Sequence, residues 1–226
     1  MKKKARFAAF AVSFAAAAGS ALWYLRRRDA EKKVTPVRVA CVGDSITFGH
    51  GTHPIALHSY PHRLQTLLGQ GWKVKNFGVS GSIVQAAGDL PYVSTPEYVD
   101  SLAFDPDVLV LMLGTNDSKS HNWTTPDTFR RDFEALIANY LELNPDLQVV
   151  LCTCCAVFEN DYDIQESRVS ISNNLIRTVA EEHGYPLVDI HTLTLEHPDW
   201  FPDGVHPNNA GAAAIARAVA DVLLAK

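Results

Sequence analysis

Short apolar segments alternate with longer helical patterns along the body of the chain. Five apolar runs rich in β-branched residues recur at intervals, at residues 37–42, 72–79, 107–113, 147–155 and 186–190. Most are continuous rather than alternating, which is typical of parallel strands that are covered on both faces. The pattern therefore predicts a sheet of five parallel strands.

Helical periodicity appears between and after these runs, at residues 124–143, 167–184 and 208–226. The first pattern begins with a threonine and an early proline, the second ends at Gly184, and the third opens at an asparagine. These are ordinary signals for the start and the end of a helix. Strands that alternate with helices in this way predict an α/β protein, a three-layer α/β/α sandwich.

The first 33 residues differ from the rest and are predicted to be a membrane anchor or signal segment. Residues 7–25 carry no charge, and nineteen residues in a helix span about 28 Å, close to the thickness of a bilayer core. Trp23 and Tyr24 lie at one end, as in an interfacial aromatic belt. We expect a single N-terminal helix that anchors a domain facing outside the cytoplasm. Cleavage followed by secretion is one alternative and a soluble amphipathic extension is another, and the flanking basic residues do not fix the orientation.

Composition and charge limit the function of the remaining domain, residues 34–226. In the whole chain of 226 residues, 47% are hydrophobic and 20% are charged, and this hydrophobic content is enough to bury a core. Residues 1–33 hold nine Lys/Arg and two acidic residues. Residues 34–226 hold 11 Lys/Arg and 23 acidic residues, so the net charge of this domain is −12. An acidic body disfavours nucleic acid as a partner.

Four polar, glycine-containing motifs follow apolar runs or precede the last helix: GDSIT (43–47), NFGVSGS (76–82), LGTND (113–117) and DGVHP (203–207). In an open parallel sheet, function gathers beyond the carboxyl ends of the strands. Each motif alone has an ordinary explanation as a cap or a turn. Four on one edge are harder to explain in that way.

Together, these motifs contain the groups that acyl transfer needs. Ser45 is a poor nucleophile until a base accepts its proton, and His206 titrates in the required range. Asp203, three residues earlier, can hold the second ring nitrogen. The N–H groups of Ser45 and Gly81 and the side-chain amide of Asn116 can meet the oxyanion. The predicted catalytic residues are therefore Ser45, Asp203 and His206.

In their order and spacing, GDSIT, GVSGS, GTND and DGVHP resemble the four blocks of the SGNH, or GDSL-type, hydrolases. The first block reads GDSI rather than GDSL, a conservative departure. The resemblance covers residues 36–225 and implies a flavodoxin-like sandwich and an enzyme that needs no metal or other cofactor. It implies the same roles for Ser45, Gly81, Asn116, Asp203 and His206.

The sequence segments around the four blocks are similar to those of the bacterial branch of sialate O-acetylesterase-like or xylan-esterase-like members. This similarity implies removal of O-acetyl groups from a carbohydrate. The substrate is then a small-molecule or glycan ester, and Asp44 and Trp123 are predicted to contact it. A lysophospholipase or thioesterase acting on lipid is the alternative, and a non-catalytic scaffold is a third possibility. The oligomeric state stays open.

Four histidines in thirteen residues, His50, His53, His58 and His62, raise the question of a metal site. No carboxylate joins them at ligand spacing, and two prolines interrupt any regular helix. We therefore predict no metal and interpret the cluster as a polar loop beside the active site. The four cysteines, three of them in 152–155, show no disulfide spacing and are predicted to be buried.

Overall fold

The structure, a computed structural model, describes residues 35–225, and the predicted anchor or signal in residues 1–33 lies outside them. Within residues 35–225 no helix combines the length and the apolar character that crossing a membrane requires. The anchor and the domain boundary at residue 34 stay predictions.

Five parallel strands form one sheet in the order β2-β1-β3-β4-β5. The strands are β1 (Val37–Gly43), β2 (Trp72–Gly78), β3 (Val108–Met112), β4 (Gln148–Cys152) and β5 (Leu187–Val188). This is the flavodoxin-like order, in which the chain changes direction across the sheet between β1 and β3. The predicted five-stranded parallel sheet is confirmed.

Eight α-helices connect and cover the strands in the described part of the chain. They are α1 (Ser45–Phe48), α2 (Ile55–His58), α3 (Tyr60–Leu68), α4 (Pro96–Ala103), α5 (Pro126–Leu143), α6 (Glu166–His183), α7 (Ile190–Thr194) and α8 (Asn209–Leu224). Short 3₁₀ turns lie at Tyr92–Ser94, Asn116–Ser118 and Pro198–Trp200.

Alternate residues of each central strand point to opposite faces of the sheet, so the protein has two hydrophobic cores. On one face Val42, Leu109 and Leu111 pack with aromatic residues of α5 such as Phe133. On the other face the intervening residues, Val110 among them, pack with α3 and α8. Both faces of the strands are buried, which explains why their sequence is continuously apolar. The predicted three-layer sandwich is confirmed.

The helix boundaries follow the capping signals in the sequence. The Thr125 side chain accepts a hydrogen bond from the Thr128 N–H at the start of α5. The Asn208 side chain does the same for two N–H groups at the start of α8. Gly184 ends α6 with φ of 68°, a left-handed conformation that favours glycine.

Two strands are shorter than the sequence predicts by three residues or more. β4 ends at Cys152. Beyond it, a side chain takes the place of a neighbouring strand as hydrogen-bond partner, because Asn173 Oδ1 accepts from the Cys154 N–H at 2.7 Å. β5 has only two residues because Asp189 caps α7, accepting from the Thr192 N–H at 3.2 Å. All four cysteines are buried free thiols, as predicted.

Candidate active site

Ser45 lies at the turn where β1 gives way to α1, and its side chain is nearly buried, with 7% of the residue exposed. The turn is tight because Gly43 has no side chain; a Cβ there would overlap Thr47 Oγ1 and the Met112 carbonyl oxygen. Asp44 caps the helix, its Oδ1 accepting from the Ile46 N–H at 2.9 Å. Local structure therefore fixes the direction of the Ser45 hydroxyl.

A chain of hydrogen bonds joins Ser45 to the loop before α8. Ser45 Oγ lies 2.9 Å from His206 Nε2, and His206 Nδ1 lies 2.8 Å from Asp203 Oδ2. The other carboxylate oxygen of Asp203 accepts from the backbone N–H groups of His206 at 2.7 Å and Val205 at 3.0 Å. Asp203 thus organises its own loop while it holds the imidazole.

The electrostatics of this pair suit a neutral imidazole beside an ionised carboxylate. Burial favours a higher pKa for Asp203, but the His206 N–H and ring and the Val205 N–H outweigh it and lower the pKa to about 2. Burial lowers the pKa of His206 from its ordinary value, against the opposing effect of Asp203. At neutral pH, His206 can therefore accept a proton.

The loops that follow β2 and β3 carry the two other predicted oxyanion donors. Gly81 has φ of +86° in a turn closed by the Ser82 N–H and the Val79 carbonyl, a conformation that favours glycine. Asn116 is nearly buried, and its side-chain amide donates to the Ser82 carbonyl at 3.2 Å. The role of Gly81 and Asn116 as oxyanion donors stays a prediction.

Asp117, next to Asn116, is a structural residue of this site that the sequence analysis did not single out. It is fully buried, and its carboxylate accepts from the N–H groups of Val84 at 3.0 Å and Gln85 at 3.0 Å. Burial raises the pKa of Asp117 to about 6, although these N–H groups oppose the shift. Asp117 therefore links the Gly81 loop to the loop after β3.

The two residues predicted to contact substrate lie in different settings. The Asp44 carboxylate faces the interior, with 1% of the residue exposed, so the geometry supports a capping role. Trp123 is half-buried in the loop before α5. Contact of either residue with substrate stays a prediction.

Of the four clustered histidines, His50 reaches the site. Its ring lies 4.3 Å from the His206 ring, centroid to centroid. His50, His206 and Asp203 each offer one possible metal-ligand atom, and these three atoms lie within 4.8 Å of one another. Both ring nitrogens of His206 are already hydrogen-bonded, so an ion there would displace Ser45 or Asp203.

The other three histidines do not join this group within residues 35–225. His58 Nδ1 pairs with Arg63 at 2.7 Å, and the backbone of His53 pairs with the side chain of Asn209. The predicted polar loop is correct for His50 and His53 but wrong for the other two, because His58 ends α2 and His62 lies in α3. Of the four, His50 belongs to the group at the site in the described part of the chain.

Tyr162 is a second residue that the sequence analysis missed. Its hydroxyl lies 3.2 Å from Asp203 Oδ2, and its ring stands edge-on to His206. It belongs to none of the four motifs and lies 41 positions from Asp203. No signal in a single sequence points to it.

A serine, an imidazole and a carboxylate joined by hydrogen bonds at the carboxyl edge of a flavodoxin-like sheet define the class of SGNH-type proteins. The chain belongs to the GDSL-like Lipase/Acylhydrolase family, whose model matches residues 41–214. The family predicted from the four motifs is thus confirmed.

The chain is 38% identical over 212 residues to an acetylxylan esterase of Xylanibacter ruminicola. That match covers 83% of this chain but only 43% of the relative, so the chain spans less than half of that protein.

Solved structures share the fold. An inhibitor-bound aryl esterase of M. smegmatis aligns with a TM-score of 0.70 and 19% identity, over 83% of this chain and 98% of that one. A carbohydrate acetylesterase family member from Sinorhizobium meliloti aligns with a TM-score of 0.66 and 20% identity, over 83% and 97%.

Proposed function

We propose that the protein is a serine esterase that removes O-acetyl groups from a carbohydrate. The observation that carries the proposal is the hydrogen-bonded chain from Ser45 Oγ through His206 to Asp203, with distances of 2.9 and 2.8 Å. A serine hydroxyl needs such a base to become a nucleophile, and the base needs a group that orients it.

In the proposed mechanism, Ser45 Oγ attacks the carbonyl carbon of the ester while His206 Nε2 takes its proton. The oxyanion that forms accepts hydrogen bonds from the Ser45 and Gly81 N–H groups and from the Asn116 amide. The bond between the carbonyl carbon and the sugar oxygen then breaks, His206 gives its proton to that oxygen so that it leaves as a hydroxyl, and the acyl group stays on Ser45. Water, activated by the same imidazole, releases acetate, and Asp203 stays ionised throughout.

The carbohydrate and acetyl parts of the proposal rest on similarity and on the polarity of the surrounding loops. The relative at 38% identity is called an acetylxylan esterase. The loops that carry the motifs offer hydroxyls, amides and a tryptophan rather than a long apolar run. A lipid chain would need such a run, because each buried methylene contributes about 0.8 kcal/mol.

The central experiment is Ser45→Ala with Ser94→Ala as the matched control. Ser94 is an exposed residue outside the four motifs, at the end of the 3₁₀ turn Tyr92–Ser94, and its hydroxyl donates to the Pro91 carbonyl. We expect Ser45→Ala to stay folded and to lose on the order of 10⁴- to 10⁶-fold in turnover of 4-nitrophenyl acetate and acetylated xylan. A Ser45→Ala protein that kept more than a tenth of the activity would refute the mechanism.

Acyl-chain length separates the acetylesterase from the lipid hydrolase. We expect kcat/KM to fall from 4-nitrophenyl acetate to butyrate and again to octanoate, because a pocket closed after the methyl group excludes longer chains. Acetate release from acetylated xylan, mannan and sialic acids then identifies the sugar. Faster hydrolysis of octanoate than of acetate would favour the lipid alternative.

A further inference from the structure

Tyr162 contacts both members of the proposed acid–base pair. Its hydroxyl donates to Asp203 Oδ2 at 3.2 Å, and this is the same oxygen that accepts from His206 Nδ1 at 2.8 Å. Its ring meets the His206 ring edge-on, at 5.2 Å between centroids and an interplanar angle of 89°. His50 lies against the same imidazole, at 4.3 Å. The imidazole is therefore in contact with two aromatic rings from distant segments.

We propose that Tyr162 is a positioning residue for Asp203 and His206: its hydroxyl fixes the carboxylate oxygen that holds the imidazole, and its ring restrains the imidazole itself. The inference rests on the proposed function, because it assumes that His206 is the catalytic base. It adds a residue that lies outside the four motifs.

The segment that carries Tyr162, residues 158–165, is held in shape by Asn160. Asn160 Oδ1 accepts from the Tyr162 N–H at 3.0 Å and from the Ile164 N–H at 3.3 Å. Asn160 Nδ2 donates to the carbonyls of Phe158 at 2.8 Å and Ile164 at 3.0 Å. The half-buried side-chain amide of Asn160 thus organises the whole segment, which we call the bridging loop.

The bridging loop attaches directly to the loop of Asp203. The Phe158 N–H donates to the Gly204 carbonyl at 2.8 Å. Gly204 has φ of +81°, and a Cβ there would overlap the Glu159 carbonyl oxygen. The two backbones therefore approach so closely that a side chain would not fit between them, which limits the movement of Tyr162 relative to Asp203.

The other end of the bridging loop attaches to the segment that follows Asn116. The Ser120 N–H donates to Asp163 Oδ2 at 2.8 Å, and the Gln165 N–H donates to Ser118 Oγ at 3.1 Å. The bridging loop thus connects the segment of the proposed base with a segment of the proposed oxyanion hole. Tyr162 lies between these two attachments.

Charged groups around the pair set the direction of the expected effect. Asp203, His50 and Lys119 face the imidazole of His206. Asp203 and Asp161 face the phenol, and the Asp203 charge raises the pKa of Tyr162, so the phenol stays protonated and can donate. Removing the hydroxyl leaves Asp203 Oδ2 with one donor fewer and therefore more basic. A more basic carboxylate stabilises the imidazolium, which raises the pKa of His206.

The ring of Tyr162 could instead act as a platform for the sugar. The residue is 42% exposed. It lines an open cavity of about 490 Å³, together with Glu159, Asn160, Asp161, Pro202 and Asp203. A platform needs the ring and not the hydroxyl, whereas positioning of Asp203 needs the hydroxyl. Two substitutions at the same position therefore separate the roles.

The experiment compares Tyr162→Phe and Tyr162→Ala with Tyr185→Phe, which removes the hydroxyl of a half-buried tyrosine that stacks on His183. We measure kcat, KM and the pH profile with 4-nitrophenyl acetate, KM with acetylated xylan as the sugar-bearing substrate, and the melting temperature. For Tyr162→Phe we expect a fall in kcat of about 3- to 10-fold, as for one half-exposed hydrogen bond, with KM within about twofold. The acid limb of the profile moves to higher pH by a few tenths of a unit, and Tyr185→Phe behaves as the unaltered protein.

Wild-type kcat and an unmoved acid limb in Tyr162→Phe would overturn the inference, whatever Tyr162→Ala does. A higher KM confined to Tyr162→Ala would assign the sugar platform instead and also overturn it. A lower kcat with an unmoved acid limb would indicate a purely structural role, again against the inference. Activity that survives Ser45→Ala refutes the proposed function by itself, so the two failures are distinguishable.

Discussion

The two sides of the candidate site are built in different ways. The nucleophile side, residues 43–48, 78–84 and 113–118, follows the ends of three neighbouring strands, and Gly43 pairs with Gly78 and Met112 in register. The base side, residues 201–207, follows no strand of the sheet. Its Asp203 side chain is 34% exposed, whereas Ser45 and Asn116 are nearly buried.

This difference teaches that the sheet itself positions the proposed nucleophile and oxyanion donors, while contacts between loops position the proposed base. Parallel strands in register bring their carboxyl ends to one edge, so three short motifs meet there, and hydrogen bonds from Asn116 and to Asp117 then join the loops after β2 and β3. The base side lacks that support and depends on hydrogen bonds within its own loop and with residues 158–165. Substitutions on the two sides should therefore affect activity and stability in different ways.

The largest expected effect is loss of the base. His206→Ala should lower kcat on the order of 10⁴-fold or more with the melting temperature unchanged, as measured with 4-nitrophenyl acetate, and His183→Ala is the control. Because both sides act as one unit, the double variant Ser45→Ala/His206→Ala should be no slower than either single variant. Additive losses would mean that the two sides act independently.

On the nucleophile side, Asn116→Ala should lower kcat by about 10²- to 10³-fold and change KM little. Its amide is expected to meet the oxyanion and not the ground-state carbonyl, and one such donor is worth about 2.7–4 kcal/mol. Asn174→Ala, on the exposed surface of α6, removes the same amide away from the site. A pure rise in KM for Asn116→Ala would indicate that the residue only positions substrate.

Gly78→Ala tests how closely the nucleophile side depends on the sheet. The added Cβ would overlap the Phe48 backbone nitrogen, so the end of β2 and helix α1 cannot both keep their places. We expect the free energy of unfolding to fall by about 1–3 kcal/mol in urea titration, with loss of activity. Gly71→Ala, just before the same strand with nothing within 4 Å of its Cβ, should be neutral. Equal stability of both variants would contradict this dependence.

The pH dependence sharpens the role of the base side. Neutral His206 is the active form, so kcat/KM should be full at high pH and fall as the pH drops through the pKa of His206. Burial lowers that pKa, so the midpoint should lie below 6.5. The pKa of Asp203 is lowered to about 2, so Asp203 stays ionised across this range. A midpoint well above 6.5 would argue that another group controls the rate.

The smallest expected effect is that of a chelator. Ser45, His206 and Asp203 supply the proposed chemistry without a metal, so EDTA should leave turnover of 4-nitrophenyl acetate unchanged. The measurement also tests the group formed by His50, Asp203 and His206. Abolition by EDTA and recovery with zinc would require a metal role for that group.

The sequence by itself determined the layers of this protein and the places where its chemistry gathers. Periodicity and capping signals involve near neighbours, so Thr125, Gly184 and Asn208 mark the helix ends correctly. The continuous apolar strands report burial on both faces, whereas the flavodoxin-like arrangement was implied only by the resemblance to the SGNH hydrolases. Three of the four motifs then lie at the carboxyl edge because the parallel strands that precede them end there, whereas DGVHP follows no strand.

Only the tertiary structure decided where the polar side chains find partners. Asp44 faces the interior and caps helix α1. The Asp117 carboxylate joins the loop after β3 to the loop after β2 through the Gln85 N–H. Tyr162 reaches Asp203 across 41 positions, through a loop whose path depends on contacts at both of its ends. Such contacts join segments that are distant in the chain, and no local pattern encodes them, because loop closure is fixed by packing rather than by periodicity.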